Sequence, residues 1–582
     1  MPYRAPLDDI LFSLRLAAGE GAFDADGLYA DLSGGFAEQT LQEAAKFAEG
    51  SLYPLDLAGD RIGAKYQDGA VVTAPGWREA YGEWRAGGWN AVQASPEHGG
   101  LGLPVLLNAA CTEIWNSANM AFALCPLLGH GAIEALEAHA SDALKETYLQ
   151  KMVSGEWSAT MNLTEPQAGS DLALLRTRAE PAGDGSYRLF GQKIFITYGE
   201  HDLTDNIVHL VLARLPGAPE GTRGISLFLA PKFLPDETGA FARRNDLRCA
   251  GIEHKLGIHG SPTCTMTFGD GDGATAFLVG EENKGLACMF TMMNNARLNV
   301  GLQGVAMTER AFQGALRYAR ERRQGRAPGA AQTSAIVDHP DVRRMLLTMA
   351  SCAAAARAIC YETAAALDRS RRLGDAMAEA RASLLTPIAK AFSADIADET
   401  TSLGVQVHGG MGYIEETGAA RLMRDARICA IYEGANGIQA IDLVFRKLKL
   451  ADGAVLAREI GDMRAILADA ARESAFAFAA QAGEAVEALA RASDFLAGAI
   501  ESAPADALAG ATPYLRLFGL ARGATLLVKG ALTAQREGEH HAARRLALAR
   551  FFIDHVAVAA PGLARSVVDG ADSVTMEGLA EV

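Results

Sequence analysis

The chain has 582 residues, a formal net charge of -16 at pH 7, 49% hydrophobic residues and 21% charged residues. This composition excludes a disordered chain, a collagen-like repeat and a disulfide scaffold, and the length predicts about three to five domains. The acidic balance, without a run of five basic residues, argues against a nucleic-acid partner.

The cysteines and the N-terminus indicate the compartment. Eight cysteines are scattered without CxxC spacing, which predicts reduced thiols packed as small hydrophobic residues and no metal site. The first fifteen residues carry acidic residues directly before the apolar ones and lack the basic start of a signal peptide. No window reaches the roughly 18 uninterrupted apolar residues of a membrane helix. We therefore expect a cytoplasmic protein with no integral membrane segment.

The first half of the chain changes from helical to strand periodicity. In residues 1–160, apolar residues recur three and four apart at 41–52 and 105–128, which predicts an N-terminal helical domain with a loop at 96–104. In residues 161–282 the period becomes two, and Gly, Pro and Asp separate the runs, which predicts a middle antiparallel β-domain. Its predicted strands are 187–197, 207–213, 224–229 and 264–268.

The second half returns to helical periodicity. Residues 283–450 contain long amphipathic stretches at 297–323, 339–367 and 377–403, which predict a C-terminal helical bundle. Residues 451–582 are rich in alanine and predict an additional helical domain, with turns at 503–505 and 512–513. A strand block between helix blocks does not produce the βαβ alternation of a parallel sheet, so the predicted fold class is α+β.

Common catalytic fingerprints are missing from the sequence, but three segments differ from ordinary core or surface. There is no GxxxxGK[ST], no HExxH, no GxSxG and no GxGxxG after a strand. Residues 161–171 place small and hydroxyl residues where the helical block meets the strand block, and residues 406–413 contain three glycines after a helix. Both patterns fit a backbone that binds a phosphate or a polar ring edge, and both also fit a capped loop or a helix end.

The third segment, residues 428–439, places one carboxylate between an apolar run and a glycine-rich turn. Burial raises the pKa of a carboxyl group, so Glu433 fits a base that removes a proton from carbon. A lone glutamate is more often a solvated residue or a cap. Spacing alone therefore leaves the role of Glu433 open.

Together, in this order, the three segments resemble the acyl-CoA dehydrogenase family over residues 40–450. Residues 163–165 and 168–171 agree with one family signature, whereas Asn162 and Leu174 replace small residues. A second signature matches from Gln406 through the glycines to Asp425. The opening residues 6–10 and the alanine-rich end resemble the long bacterial branch of the family, in which we expect the extra bundle to lie where a second dimer packs in tetrameric relatives.

The resemblance implies FAD-dependent α,β-dehydrogenation of an acyl-CoA thioester to the trans-2-enoyl-CoA, with Glu433 as α-proton base and flavin N5 as hydride acceptor. The substrate is expected to be a fatty acyl-CoA or 3-methylmercaptopropionyl-CoA. Substrate contacts are implied for Ser170, Asn294, Arg297 and Glu433. Cofactor contacts are implied for these residues: Met161, Leu163, Thr164, Gly169, Ser170, Phe195, Ile196, Thr197, Arg322, Gln324, Gln406, Gly409, Gly410, Gly434 and Ala435. Phe195, Gly325, Gly437 and Asn294 depart from the usual family residues.

The resemblance also implies partners. An electron-transferring flavoprotein would accept the electrons, and residues of a neighbouring subunit, including Arg322 and Gln324, would complete each FAD site, so we expect a homodimer. Two alternatives remain at the level of sequence: a flavin oxidase or monooxygenase of the same fold, and a noncatalytic scaffold. The acyl pocket is expected near residues 110–130, where Gly129, Gly131 and Ala132 indicate either depth or close helix packing.

Overall fold

The computed structural model describes residues 3–575, which form an α+β fold with helices at both ends and a β-sheet between them. The helices are α1 Leu7–Ala18, α2 Phe36–Phe47, α3 Tyr53–Ile62, α4 Trp77–Ala86, α5 Val105–His139, α6 Asp142–Val153, α7 Gly285–Glu321, α8 Pro340–Leu373, α9 Ala376–His408, α10 Ala419–Ala426, α11 Asn436–Asp442, α12 Ala454–Ala470, α13 Ala479–Ser502, α14 Pro504–Arg536, α15 Ala542–His555, α16 Ala560–Asp569 and α17 Ala571–Thr575. The strands are β1 Lys65–Gln67, β2 Ala70–Val72, β3 Trp157–Asn162, β4 Arg178–Pro181, β5 Tyr187–Thr197, β6 Asn206–Arg214, β7 Ile225–Pro231, β8 Phe233–Pro235, β9 Phe241–Arg244, β10 Leu247–Ile252, β11 Thr263–Phe268 and β12 Ala274–Val279. The predicted fold class is confirmed.

The chain forms two compact units. The first unit contains residues 44–104 and 118–296. The second unit contains residues 3–43, 105–117 and 297–575. Helix α5 is interrupted at Asn119, whose φ of -158° and ψ of 90° are not helical.

The main sheet of the first unit has the strand order β10-β11-β5-β12-β7-β6-β3, with β4 beside β5 and β6. The predicted antiparallel pairing is found from β10 through β6. The pair β3 and β6 is parallel, which the sequence did not predict. A parallel pair needs a long connection, and here the chain passes through β4 and β5 between the two strands.

Strand β6 shows why this sheet is stable. Leu210 and Leu212 belong to an apolar cluster with residues of α5 and α6, whereas Val211 and Ala213 belong to a second cluster with Phe228 and residues of the other strands. Successive side chains point to opposite faces of a strand, so β6 buries both of its faces. The sheet is therefore a rigid layer that positions the ends of β3 and β5.

The second unit joins the helical bundle to the alanine-rich helices. A Cβ at Gly519 of α14 would lie 2.2 Å from Cδ2 of Phe392 in α9, so these two helices are in close contact through glycine. The turn predicted at 503–505 separates α13 from α14, but Pro513 lies inside α14, so the predicted turn at 512–513 is wrong. A proline in a helix costs one backbone hydrogen bond, and burial of the neighbouring Tyr514 and Leu515 keeps the helix continuous.

All eight cysteines are buried and none forms a disulfide, as expected for packed thiols. Two helical segments are long and apolar enough to cross a membrane by length and composition alone, Pro504–Arg536 and Ala542–Asp569. In the most apolar window of the first, 83% of the residues are buried within the protein, which is typical of a core helix.

Candidate active site

Glu433 lies in a tight turn of the second unit, after a 3-10 helix at Arg427–Ala430 and before α11. Its φ is 56° and that of Gly434 is 86°, so two successive residues occupy the left-handed region. A non-glycine residue is uncommon there, and such strained residues cluster at functional sites. A Cβ at position 434 would lie 2.5 Å from Nε2 of Gln439, so the turn requires glycine at this position.

Side chains of α9 and α11 hold the carbonyl oxygens of the turn. Nζ of Lys390 donates to the Gly434 carbonyl at 2.9 Å and to Oδ1 of Asn436 at 2.8 Å. Nε2 of Gln439 donates to the Glu433 carbonyl at 3.2 Å and to that of Gly434 at 3.3 Å. Because these bonds use the carbonyl side of the turn, they fix the backbone without engaging the Glu433 side chain.

The Glu433 carboxylate is half-buried and forms no hydrogen bond or ion pair with any residue from 3 to 575. Burial raises the pKa of Glu433 to about 7, and the nearby charges of Arg297 and Lys390 act in the opposite direction. A carboxyl group with this pKa is partly ionised near neutral pH and has its oxygens available to accept a proton.

Arg297 lies on α7 and is 5% exposed. Its Nη1 is 3.7 Å from Oδ2 of Asp442, whose other oxygen is 2.6 Å from Nε of Arg446. Burial lowers the pKa of Arg297, and the charges of Asp442 and Glu433 raise it. Arg297 is therefore a buried positive charge that acts on Glu433 through the field rather than through a direct bond.

In the first unit, the segment after β3 is tied to β5. The Ile194 N–H donates to the Thr164 carbonyl at 2.9 Å. Met161, Leu163 and Thr164 are half-buried, and Gly169 and Ser170 are exposed, while Oδ1 of Asp171 caps the 3-10 helix Leu172–Leu174.

A buried ion pair that the sequence did not indicate holds this segment. Nζ of Lys193 is 2.9 Å from Oε1 of Glu165 and donates to the Leu163 carbonyl at 2.9 Å. Glu165 also accepts hydrogen bonds from the N–H groups of Arg176 and Thr177. Burial alone would raise the pKa of Glu165, but the Lys193 charge and these hydrogen bonds lower this pKa to about 2. In the sequence, the indication of this ion pair is a lysine inside the apolar strand β5.

The end of β5 presents an apolar ring beside this loop. Phe195 has a φ of 61° and is 59% exposed, Ile196 is buried, and Thr197 is half-buried and pairs with Thr263 of β11. Leu174 is 55% exposed. This unit therefore has an exposed apolar surface and a polar loop with accessible backbone. The two features fit a cofactor such as FAD, which has an aromatic ring and a polar tail.

The remaining predicted cofactor residues lie at the ends of α7 and α9 in the second unit. The rings of Tyr318 and His408 stack at a centroid distance of 4.5 Å, which brings the segment containing Arg322 and Gln324 near the segment containing Gln406. Arg322, Gln324, Gln406, Gly409 and Gly410 are all exposed. The nearby Tyr413 is 86% exposed. This surface is accessible to a ligand.

Within the second unit, the predicted site residues form two groups. One group contains Glu433, Gly434, Ala435 and Arg297. The other group lies at the ends of α7 and α9, in other parts of the chain. Asn294 is exposed and belongs to the first unit, as do the residues from Met161 to Thr197. Sequence reasoning missed Lys390. Its signal was a single lysine within the apolar helical run Pro387–Phe392.

Four family models match the chain in succession. They are "Acyl-CoA dehydrogenase, N-terminal domain" at residues 37–156, "Acyl-CoA dehydrogenase, middle domain" at 160–271, "Acyl-CoA dehydrogenase, C-terminal domain" at 283–448, and "Acetyl-CoA dehydrogenase C-terminal like" at 459–577. The last match covers most of the alanine-rich region.

Known proteins support the same assignment. The chain is 47% identical over 545 residues to 3-methylmercaptopropionyl-CoA dehydrogenase from Ruegeria pomeroyi, covering 92% of each chain. An acyl-CoA dehydrogenase from Bacillus anthracis, solved with FAD, shares the fold with a TM-score of 0.77 at 21% identity, over 97% of this chain and 92% of that one. A structure described as an electron transferring flavoprotein of Acidaminococcus fermentans matches at 27% identity with a TM-score of 0.58, over 70% of this chain and 96% of that one. The chain therefore belongs to the acyl-CoA dehydrogenase family, whose members are FAD-dependent oxidoreductases that act on acyl-CoA thioesters.

Proposed function

We propose that this protein introduces a trans double bond between the α and β carbons of an acyl-CoA thioester and that Glu433 is the base. The observation that carries the proposal is the Glu433 carboxylate itself, which is unbonded among residues 3–575, has a pKa of about 7, and is held by a left-handed turn. A base must be within reach of a weakly acidic proton and must not be neutralised by a permanent partner.

The residues of the turn supply two functions. The Glu433 carboxylate removes the α-proton of the thioester. The Glu433 N–H makes no hydrogen bond with residues 3–575, so it is available to donate to the thioester carbonyl oxygen, where negative charge develops. Lys390 and Gln439 hold the two carbonyl groups of the turn, which fixes the direction of both the carboxylate and the N–H.

We assign FAD binding to the exposed and half-buried groups predicted from sequence. Residues Met161 to Ser170 and Phe195 to Thr197 would hold the ring and the nearby phosphates, and Arg322, Gln324 and the 406–410 segment would bind the phosphates and adenosine across a dimer. When bound, FAD supplies N5 as the acceptor of the β-hydrogen as hydride. Ser170, Asn294 and Arg297 are assigned to the substrate, Arg297 acting through its field on Glu433.

The relatives support the substrate and the electron acceptor that we propose. The 47% identity to 3-methylmercaptopropionyl-CoA dehydrogenase supports a short thioether acyl-CoA, with straight-chain fatty acyl-CoA as the other candidate. Gly131 does not support a deep pocket, because a Cβ there would lie 2.9 Å from Cγ of Met292, which indicates close helix packing. An electron-transferring flavoprotein is the proposed acceptor.

The test is anaerobic titration of the FAD-loaded protein with a panel of acyl-CoA thioesters that includes 3-methylmercaptopropionyl-CoA and butyryl-CoA. We expect the flavin absorbance to bleach with at least one thioester and the product to be the trans-2-enoyl-CoA. Glu433→Gln is expected to bind FAD and acyl-CoA without bleaching. Bleaching of this variant at the wild-type rate would disprove the assigned base. Light scattering of the purified protein tests the dimer.

A further inference from the structure

A cavity of about 420 Å³ lies in the second unit, away from the Glu433 turn. Its walls come from the end of α1 and from α8, α9, α12 and α14. Apolar wall residues include Ala18, Ala365, Val455, Ala465 and Ile466. The volume lies within the range of about 300–1,000 Å³ that is typical of small-molecule sites.

The floor of the cavity is a group of five charged side chains, which we call the ion cluster: Glu362, Arg381, Glu459, Arg522 and Lys529. Arg381 is 2.9 Å from Oε2 of Glu362 and 2.9 Å from Oε2 of Glu459. Arg522 lies 2.7 Å from Oε1 of Glu459 and 3.5 Å from Glu362, and Nζ of Lys529 lies 3.0 Å from Oε1 of Glu362. The alanine-rich helices thus supply three of the five charges.

The ion cluster carries an excess of one positive charge, because three cations face two carboxylates. The other charged residues that line the cavity balance one another: Arg369, Arg458, Asp375 and Asp462. An uncompensated charge beside low-dielectric walls is costly, and an anion in the cavity would remove that cost.

Arg522, one of the three cations of the ion cluster, is also incompletely hydrogen-bonded. Its side chain is 3% exposed and lines the cavity, and its Nε–H has no hydrogen-bond acceptor among residues 3–575. A buried guanidinium N–H without an acceptor is rare, since leaving it unpaired costs free energy. The planar guanidinium group can donate two parallel hydrogen bonds to a carboxylate.

We propose that this cavity binds a small organic monocarboxylate with a short apolar chain. The carboxylate would contact Arg522 and the neighbouring cations of the ion cluster, and the chain would lie against the apolar wall. A single negative charge balances the excess, whereas a phosphate dianion would leave a net negative charge. The site gives the alanine-rich helices a ligand-binding function, because α12 and α14 supply its floor.

The experiment is isothermal titration calorimetry of the full-length protein at constant ionic strength with three probes: butyrate, inorganic phosphate and butylamine. We expect butyrate to bind saturably with one site per chain, phosphate to bind at least tenfold more weakly, and butylamine not to bind. No saturable binding of butyrate, or tighter binding of phosphate, would overturn the proposal.

Two variants locate the binding. Ala465→Trp fills the cavity from an exposed position on α12 and is expected to weaken butyrate binding at least tenfold, whereas Ala468→Trp, exposed on the same helix but outside the cavity wall, is the matched control. Lys529→Gln removes the excess charge from a side chain that is 33% exposed, and we expect the same loss. Unchanged butyrate affinity in Ala465→Trp would place the binding elsewhere and overturn the site.

Discussion

The Glu433 turn and the ion cluster both place carboxylates near cations within the second unit. The pKa of Glu433 is nevertheless raised, whereas that of Glu459 in the ion cluster is lowered. Glu433 has no direct ion pair among residues 3–575, and burial raises its pKa to about 7. Glu459 is more deeply buried than Glu433, at 1% exposed, but direct contacts with Arg522 and Arg381 lower its pKa below the usual range. Burial alone favours the neutral acid, and hydrogen bonds to the charged form favour the anion.

This contrast separates a chemical role from a structural one. A carboxylate in direct contact with two cations is held ionised near neutral pH. A carboxylate beside distant charges titrates near neutral pH and has free oxygens. The same residue type is therefore a fixed anion at positions 362 and 459 and, in the function that we propose, a base at position 433.

The largest effect is expected from Glu433→Gln. Replacing the base should lower kcat by about 10³-fold or more, since positioned acid–base groups contribute about 10²–10⁴-fold. The measurement is steady-state turnover with an artificial electron acceptor. Glu459→Gln serves as the control, with kcat per bound FAD retained in the folded protein. Equal loss of turnover in both variants would contradict a chemical role for Glu433 and a structural role for Glu459.

Glu459→Gln is expected to reduce the free energy of unfolding by about 3–5 kcal/mol, because it leaves the buried Arg522 and the partly buried Arg381 with one carboxylate fewer. Urea denaturation at pH 7 measures the change. Glu487→Gln is the matched control on α13, since its pair with Arg464 is about half exposed on both sides and should contribute less than about 1 kcal/mol. Similar losses in the two variants would contradict the structural role of the ion cluster.

Lys390→Met is expected to lower kcat by about 10–100-fold, because the Gly434 carbonyl and Asn436 lose the donor that orients the turn. The loss of positive charge should also shift the rising limb of the pH–kcat profile to higher pH, since Lys390 lowers the pKa of Glu433. Lys390→Arg should restore part of the shift. Lys447→Met, which removes a half-buried lysine that donates to Ser383, is the control. A lower kcat with an unmoved pH profile would argue against the electrostatic part of this role.

The smallest effect concerns stability and pH. The pKa of Glu433 is raised from 4.5 to about 7, so the folded protein binds this proton more tightly and loses stability as pH rises between those values. Glu433→Gln has no such proton. Relative to the wild type, the variant should gain about 2.5 kcal/mol of stability between pH 5 and pH 8. Denaturant midpoints at the two pH values measure the difference. A constant difference across this range would contradict the raised pKa.

Much of the fold could be predicted from local sequence patterns. The run 187–197 predicted β5 with its observed ends. The helix predicted at 377–403 lies within α9, and the one predicted at 339–367 lies within α8 except for its first residue. These predictions succeed because a period of two or of three to four residues follows from the geometry of one element. The parallel pairing of β3 with β6 and the continuity of α14 through Pro513 depend on which distant segments pack together.

For the site, the sequence by itself determined the residue type at position 433, the glycine that must follow it, and the family signatures. Only the tertiary structure decided which charges surround that carboxylate. Lys390 and Arg297 lie far from Glu433 along the chain, and Arg522 lies far from Glu362. A pKa depends on burial and on the position of charges in space, and neither follows from a periodic pattern in the sequence. The residue type of the proposed base is therefore a property of the sequence, whereas its raised pKa is a property of the fold.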